Sequence, residues 1–169
     1  MPEMDYTFYD TAVFTNVANT VHTLFQTANG ADSTHNDAFT NMSGSGAFPQ
    51  SEDFTLQWLG VTADFNGVVA DYQNMWIGSV IQIEVANKLW LKQPLAMCSH
   101  RNAWSGLYTQ AAAAAESLIG LKGDGYTLRK PISFPKGVGF RVIILQPTAL
   151  SVATSNVKVL MSGIRNMSS

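Results

Sequence analysis

The residues best suited to covalent chemistry stand together at Cys98-Ser99-His100-Arg101. A thiol attacks as its thiolate, and a nearby imidazole can serve as the base. Neighbours in sequence rarely meet in that geometry, however, and no partnering motif surrounds this run. A buried cysteine followed by a polar loop is the expectation. Glu52-Asp53 is the one adjacent carboxylate pair. A glycosidase needs two carboxyls converging from separate segments, and this pair, preceding an alternating run, reads as a loop-to-strand junction. The three histidines, His22, His35 and His100, have no metal-ligand spacing. The glycines of Gly44-Ser45-Gly46 and Gly137-Val138-Gly139 lack a following Lys-Ser/Thr, so they read as turn glycines. No catalytic residue, cofactor or metal is expected, and the protein reads as a non-enzyme.

Binding chemistry is better represented. Four tryptophans occur, at 58, 76, 90 and 104. Trp58 shares an alternating face with Phe54 and Leu56 and reads as core. Trp76 and Trp104 fall in less regular segments, where an aromatic ring suits an interface or a sugar platform. Arg129-Lys130 is the only adjacent basic pair, and Lys136 follows in the same turn-rich stretch. Trp76, Trp104, Arg129, Lys130 and Lys136 are therefore the candidate assembly-interface residues.

The charge pattern limits the partners. Residues 1–87 hold ten acids and no Lys or Arg, and residues 88–169 hold all ten bases and two acids, so the halves carry −10 and +8. Packaging nucleic acid through an arm needs clustered Lys and Arg. The first half has none, so direct nucleic-acid binding is not expected. The two halves are instead expected to attract each other, within one fold or between copies. In a barrel the chain winds back and forth, so part of the split can be neutralised internally, with Glu84 beside the Lys88–Lys92 strand as the nearest case. The acidic N-terminal arm and loop of one subunit are expected to face the basic loops of the next. Such surface pairs contribute about 0–1 kcal/mol each and are screened by salt.

These groups must be positioned by a small core. The chain has 169 residues, 46% hydrophobic and 13% charged, which suits one domain with an unusually neutral surface. One cysteine forms no internal disulfide. Met-Pro-Glu-Met-Asp at the N-terminus has neither the charge nor the apolar stretch of a secretory signal. No uncharged apolar run spans a bilayer comfortably.

Residues 1–19 read as an extended arm with at most a short helical turn. Residues 20–27 suit a strand, and the Gly/Ser/Asn/Asp-rich stretch 28–53 reads as a long loop. Period-two alternation then predicts strands at 54–62 and 79–86, with Phe54, Leu56, Ile81, Ile83 and Val85 inward. Asn87-Lys88 reads as a tight turn into Leu89–Lys92, and Pro94 confines that strand to an edge or an early end. The Ala-rich stretch predicts an inserted helix from about 107 to 118, closing on Gly120. Strands follow at 126–132, 139–145 and 156–163. Residues 139–145 are apolar on both faces apart from Arg141, as in a strand covered on both sides. About eight short strands in some 150 residues predict an all-β antiparallel sandwich of jelly-roll size over residues 20–169.

The segment VIQIEVANKLWLKQPL (80–95) resembles the hairpin of small viral capsid jelly rolls. KPISFPKGVGFRVIIL (130–145) and NVKVLMSGIRNM (156–167) resemble their closing strands. Asn41-Met42, then Phe48-Pro49, then an alternating strand to Val61 fits the same layout. The chain thus resembles the single jelly-roll major capsid proteins of tailless icosahedral bacteriophages, a lineage that includes adenovirus-like double jelly-roll shells. The resemblance covers about residues 20–167 and rests on hydrophobic and turn patterns. It implies a virion shell protein, made and assembled in the host cytoplasm. Its barrels would stand side by side in homo-oligomeric capsomers, with other capsid proteins and an internal membrane surface as further partners. The Ala-rich stretch has no counterpart in that layout. The competing readings are a lectin- or adhesin-type binding module and a small metal-dependent enzyme of cupin type.

Overall fold

A computed structural model describes residues 3–64, 69–100, 105–109, 115–119, 123–151 and 154–167. The strands are β1 (Glu3–Thr15), β2 (Thr20–Leu24), β3 (Glu52–Ala63), β4 (Val80–Val85), β5 (Lys88–Pro94), β6 (Ser105–Thr109), β7 (Ala115–Ile119), β8 (Tyr126–Phe134), β9 (Phe140–Gln146) and β10 (Thr154–Met167). Among the described residues one α-helix, α1 (Val69–Gly78), lies between β3 and β4, and a 3-10 turn (Leu95–Cys98) follows β5. Two four-stranded antiparallel sheets carry the core, in the orders β1-β10-β3-β8 and β2-β9-β4-β5. A separate two-stranded sheet pairs β6 with β7. The expectation of an all-β antiparallel sandwich holds at this level.

Alternation explains why these segments are strands. In β4, Ile81, Ile83 and Val85 are buried and Gln82 and Glu84 are not; in β10, Val157, Val159 and Met161 are buried. Side chains on successive strand residues point to opposite faces, so each apolar set reaches the space between the sheets. Aromatic rings fill that space. Phe134 of β8 meets Phe140 of β9 edge-on at 4.9 Å, and Phe8 meets Phe54 edge-on at 5.1 Å. Phe48, from the long β2–β3 loop, stacks on Phe140 at 5.0 Å. The loop is thus tied into the core rather than draped over it.

Several expectations are corrected. Residues 3–15 are not a free arm: β1 runs antiparallel to β10 from Glu3↔Asn166 to Thr15↔Thr154. Phe8, Ala12 and Phe14 face the core, which the intervening Asp and Thr residues concealed. The helix expected at 107–118 is replaced by the hairpin β6–β7, paired from Ser105↔Ile119 to Thr109↔Ala115; residues 110–114 lie outside the described residues. Alanine favours helix only weakly, and a helix of about 12 residues needs a packed apolar face to persist. Here β-favouring Leu107-Tyr108-Thr109 and Leu118-Ile119 flank the Ala run. The helix that does form, α1, places Tyr72, Met75 and Trp76 in the core at spacing i, i+3, i+4. Asp71, in its first turn, accepts hydrogen bonds from the Ser151 N–H and hydroxyl at 2.9 Å, anchoring the helix to the β9–β10 connection.

The β4–β5 turn is centred on Ala86 and Asn87, one residue earlier than read from sequence. Both have positive φ, at 52° and 60°. That conformation matches the strand twist of a two-residue hairpin, and the Ala86 N–H is held by Gly139 O at 2.9 Å. Pro94 does end β5, on a sheet edge. Strand β9 lies inside its sheet, with Ile143 buried between Thr23 and Gln82, whereas Arg141 on the same face is exposed.

Candidate assembly interface

The groups with covalent potential are buried or hydrogen-bonded within the fold. Cys98 is fully buried, and burial pushes its thiol up to about 12, far from the thiolate form. Glu52 and Asp53 point to opposite sides of β3. Glu52 is buried and accepts from Arg165 Nη2 at 2.6 Å; Asp53 accepts from Asn166 Nδ2 at 2.9 Å. His22 stacks on Phe14 at 4.7 Å, with Nε2 2.8 Å from Gln146 Oε1. His35 lies in the long loop, with Nδ1 2.8 Å from Asp32. Hydrogen bonds from Thr34 and His35 hold the Asp32 carboxyl well below the usual carboxylate range. Among the described residues, no three His, Cys, Asp or Glu side chains gather as a metal site, and no helix is long and apolar enough to cross a membrane.

The geometry with binding potential lies along the sides of the sandwich. Each sheet has two edge strands: β1 and β8 in one, β2 and β5 in the other. β1 and β2 lie together, as the Phe14–His22 stack requires. β5 and β8 lie together on the opposite side, where Gln93 Nε2 donates to the Tyr126 hydroxyl at 3.3 Å.

Both strands on the β5–β8 side are irregular. In β5 the register slips between Ile83↔Leu91 and Glu84↔Leu89, leaving Trp90 as the extra, bulged residue. In β8, Ile132 pairs with Leu56 but Thr127 pairs with Trp58, so Leu128–Pro131 leave the ladder. Pro131 has no N–H to give it. Between these departures opens a groove of about 200 Å³, lined by Trp90, Leu91, Tyr126, Leu128, Arg129 and Lys130 among others. Trp90 is 44% exposed, with Lys88 Nζ 5.1 Å from its ring centre. Lys92, Arg129 and Lys130 are exposed around it.

Arg129 and Lys130, expected from sequence as interface candidates, line this groove together with Trp90, which was not among those candidates and whose cue is its place on an edge strand between Lys88 and Lys92. Lys136 is exposed in the β8–β9 turn and does not line the groove. Trp76 has no exposed surface, so its ring is a core element beneath α1 and offers nothing to a neighbour. Trp104 lies outside the described residues. Trp58, read as core, is displaced by another bulge: Met161↔Leu59 and Ser162↔Trp58 give way to Gly163↔Leu56. The core face passes from Leu56 to Leu59, and Trp58 turns aside to donate from Nε1 to Asp124 O at 2.6 Å.

The β1 side has the opposite charge. Glu3, Met4 and Asp5 are exposed at the start of β1, Met4 by 36%. Further along, Asn41 covers the open edge: its Oδ1 accepts from the Tyr9 N–H at 2.8 Å, its own N–H donates to Tyr9 O at 3.2 Å, and its Nδ2 donates to Thr7 O at 2.9 Å. That cover blocks unwanted strand pairing there and ends before Asp5. Part of the charge split is neutralised inside the fold. Arg141 Nε donates to Glu84 at 2.6 Å, so the partner of Glu84 is on β9 and not on the β5 strand; Arg165 takes Glu52.

The fold and its edges therefore define an all-β sandwich of two antiparallel four-stranded sheets with one acidic and one basic side. In comparisons with known proteins, no family model matches the chain, and neither a curated protein nor a solved structure matches it.

Proposed function

We propose that this protein is a self-associating shell subunit of an icosahedral virion, built on a single eight-stranded jelly roll. The strand pairing carries this reading. With the β6–β7 hairpin set aside, the first strand pairs with the last (β1·β10), the second with the next to last (β2·β9), the third with β8, and β4 with β5. A long antiparallel ribbon folded over on itself has this nested pattern, which supports a jelly roll. The resemblance of 80–95, 130–145 and 156–167 to capsid strands supports the same reading. Jelly rolls also serve as lectins and cupins, so the fold alone does not choose among functions. The opposed charged sides favour side-by-side packing of copies, in capsomers that contact other capsid proteins and a membrane surface.

Light scattering and negative-stain microscopy over rising protein concentration test the reading, together with mass spectrometry of purified particles. Defined oligomers or particles, and hundreds of copies per virion, are expected. A monomer under all salt and pH conditions, absent from particles, overturns it.

The exposed Trp90 ring beside the groove favours one second reading, a carbohydrate-binding module. A glycan array that gives binding lost in Trp90→Ala, with no self-association, would select it.

A further inference from the structure

Resting on the shell-subunit reading, we infer that contact between copies is heterologous: the Glu3–Asp5 end of β1 in one copy docks against the β5–β8 groove of the next. The two surfaces lie on opposite sides of the sandwich, because β1 and β8 end one sheet and β2 and β5 end the other. A contact joining opposite sides repeats head to tail. It closes into a ring, or extends, according to the angle between copies.

The chemistry of the two surfaces matches. On β1, Glu3 and Asp5 project on one face with Met4 on the other, all three exposed. Arg129 and Lys130 line the groove with Trp90, which is 44% exposed; Lys88 Nζ lies 5.1 Å from the Trp90 ring centre, and exposed Leu89 and Lys92 lie on the same strand outside the lining. An aromatic centre with a basic rim has the composition of a docking site, and the acidic strand end supplies both a charge and an apolar complement. An isologous contact would set each side against its own kind, basic on basic or acidic on acidic, which is repulsive. The exposed acids of the long loop are less suited to this contact: Asp32 is engaged by Thr34 and His35, and Asp37 by Asn29.

Sedimentation at low salt of the full chain tests the inference, using Arg129→Glu/Lys130→Glu, Glu3→Lys/Asp5→Lys, their equimolar mixture and wild type. All four positions are exposed, and circular dichroism verifies folding. Each double variant alone is expected to associate about tenfold more weakly than wild type or worse. The mixture is expected to recover, because each reversed side then meets an opposite one. Trp90→Ser should weaken association without altering its salt dependence. If wild type associates and both variants match it, or the mixture fails to recover, the edge-to-edge contact is overturned while the shell reading stands. If wild type never associates, the shell reading itself fails.

Discussion

Arg165 and Glu52 meet at 2.6 Å where β10 and β3 run side by side, and the Arg165 guanidinium also lies 4.8 Å from the Tyr6 ring centre. One residue near each end of the chain and one at the start of β3 are thereby joined across three neighbouring strands. The Glu52 carboxylate is buried, so its desolvation is offset only while Arg165 is present. Arg165→Met, which strands that carboxylate, should destabilise the fold by about 3–5 kcal/mol, as expected when a buried charge loses its partner, and Glu52→Leu should cost less because Arg165 is the more exposed member. Replacing both, as Glu52→Leu with Arg165→Met, should cost less than either single loss. Urea denaturation of the three variants measures this.

His22 makes stability depend on pH. Burial lowers its pKa from the ordinary value near 6.5, while the hydrogen bond to Gln146 acts the other way. The unfolded chain therefore takes up a proton more readily than the folded one. Its contribution is fully present above pH ~6.5 and is lost as pH falls from there through the folded-state value. Gln146 is itself buried and donates to Thr15 O at 2.8 Å and Thr148 O at 3.0 Å, which holds its Oε1 towards the ring. His22→Phe should flatten the melting temperature between pH 7 and 5 relative to wild type. An unchanged slope would remove His22 as the cause. Asp10 has the opposite sign: burial raises its pKa, so its contribution is lost as pH rises from the ordinary carboxylate range through the folded value.

Gly163 stands where β3 bulges. A Cβ built there would lie 2.0 Å from Thr55 O, a backbone atom with no easy escape. Gly163→Ala should destabilise by about 3 kcal/mol, the upper end of overpacking costs. Gly30→Ala serves as the comparison. Unlike Gly163 it sits at a positive φ, 79°, but it has nothing within 4 Å. Thermal melts should rank Gly163→Ala well below it.

Cys98 should be silent to thiol reagents in the folded protein. Its pKa of about 12 and full burial leave almost no accessible thiolate at pH 8. Labelling with a disulfide reagent should be complete in denaturant and negligible without it. Rapid native labelling would mean that the Leu95–Cys98 turn opens.

Much of the sandwich was legible because period-two alternation and burial are one signal: residues 79–86, 139–145 and 156–163 predicted β4, β9 and the centre of β10. Pro94 marked the end of an edge strand for an equally local reason, its missing N–H. The trace of α1 is the spacing of Tyr72, Met75 and Trp76, which places Trp76 in the core and not at the interface expected for it. β1 was hidden because half its residues are polar, and it becomes a strand only by pairing along all of β10.

Residue types and their order by themselves determined the strand-rich class, the lack of Lys and Arg in residues 1–87, the −10 and +8 halves and the basic pair Arg129-Lys130. Only the tertiary structure decided where those charges go. Pairing across β4–β9 and β10–β3 joins Glu84 to Arg141 and Glu52 to Arg165, neutralising part of the split internally. The strand order then leaves Glu3 and Asp5 on one side of the sandwich and Lys88, Lys92, Arg129 and Lys130 on the other. Bulges at Gln57 and Trp90 decided how Trp58 and Trp90 are turned. A bulge shifts side-chain phase by one residue, and its position depends on the register of a partner strand distant in sequence.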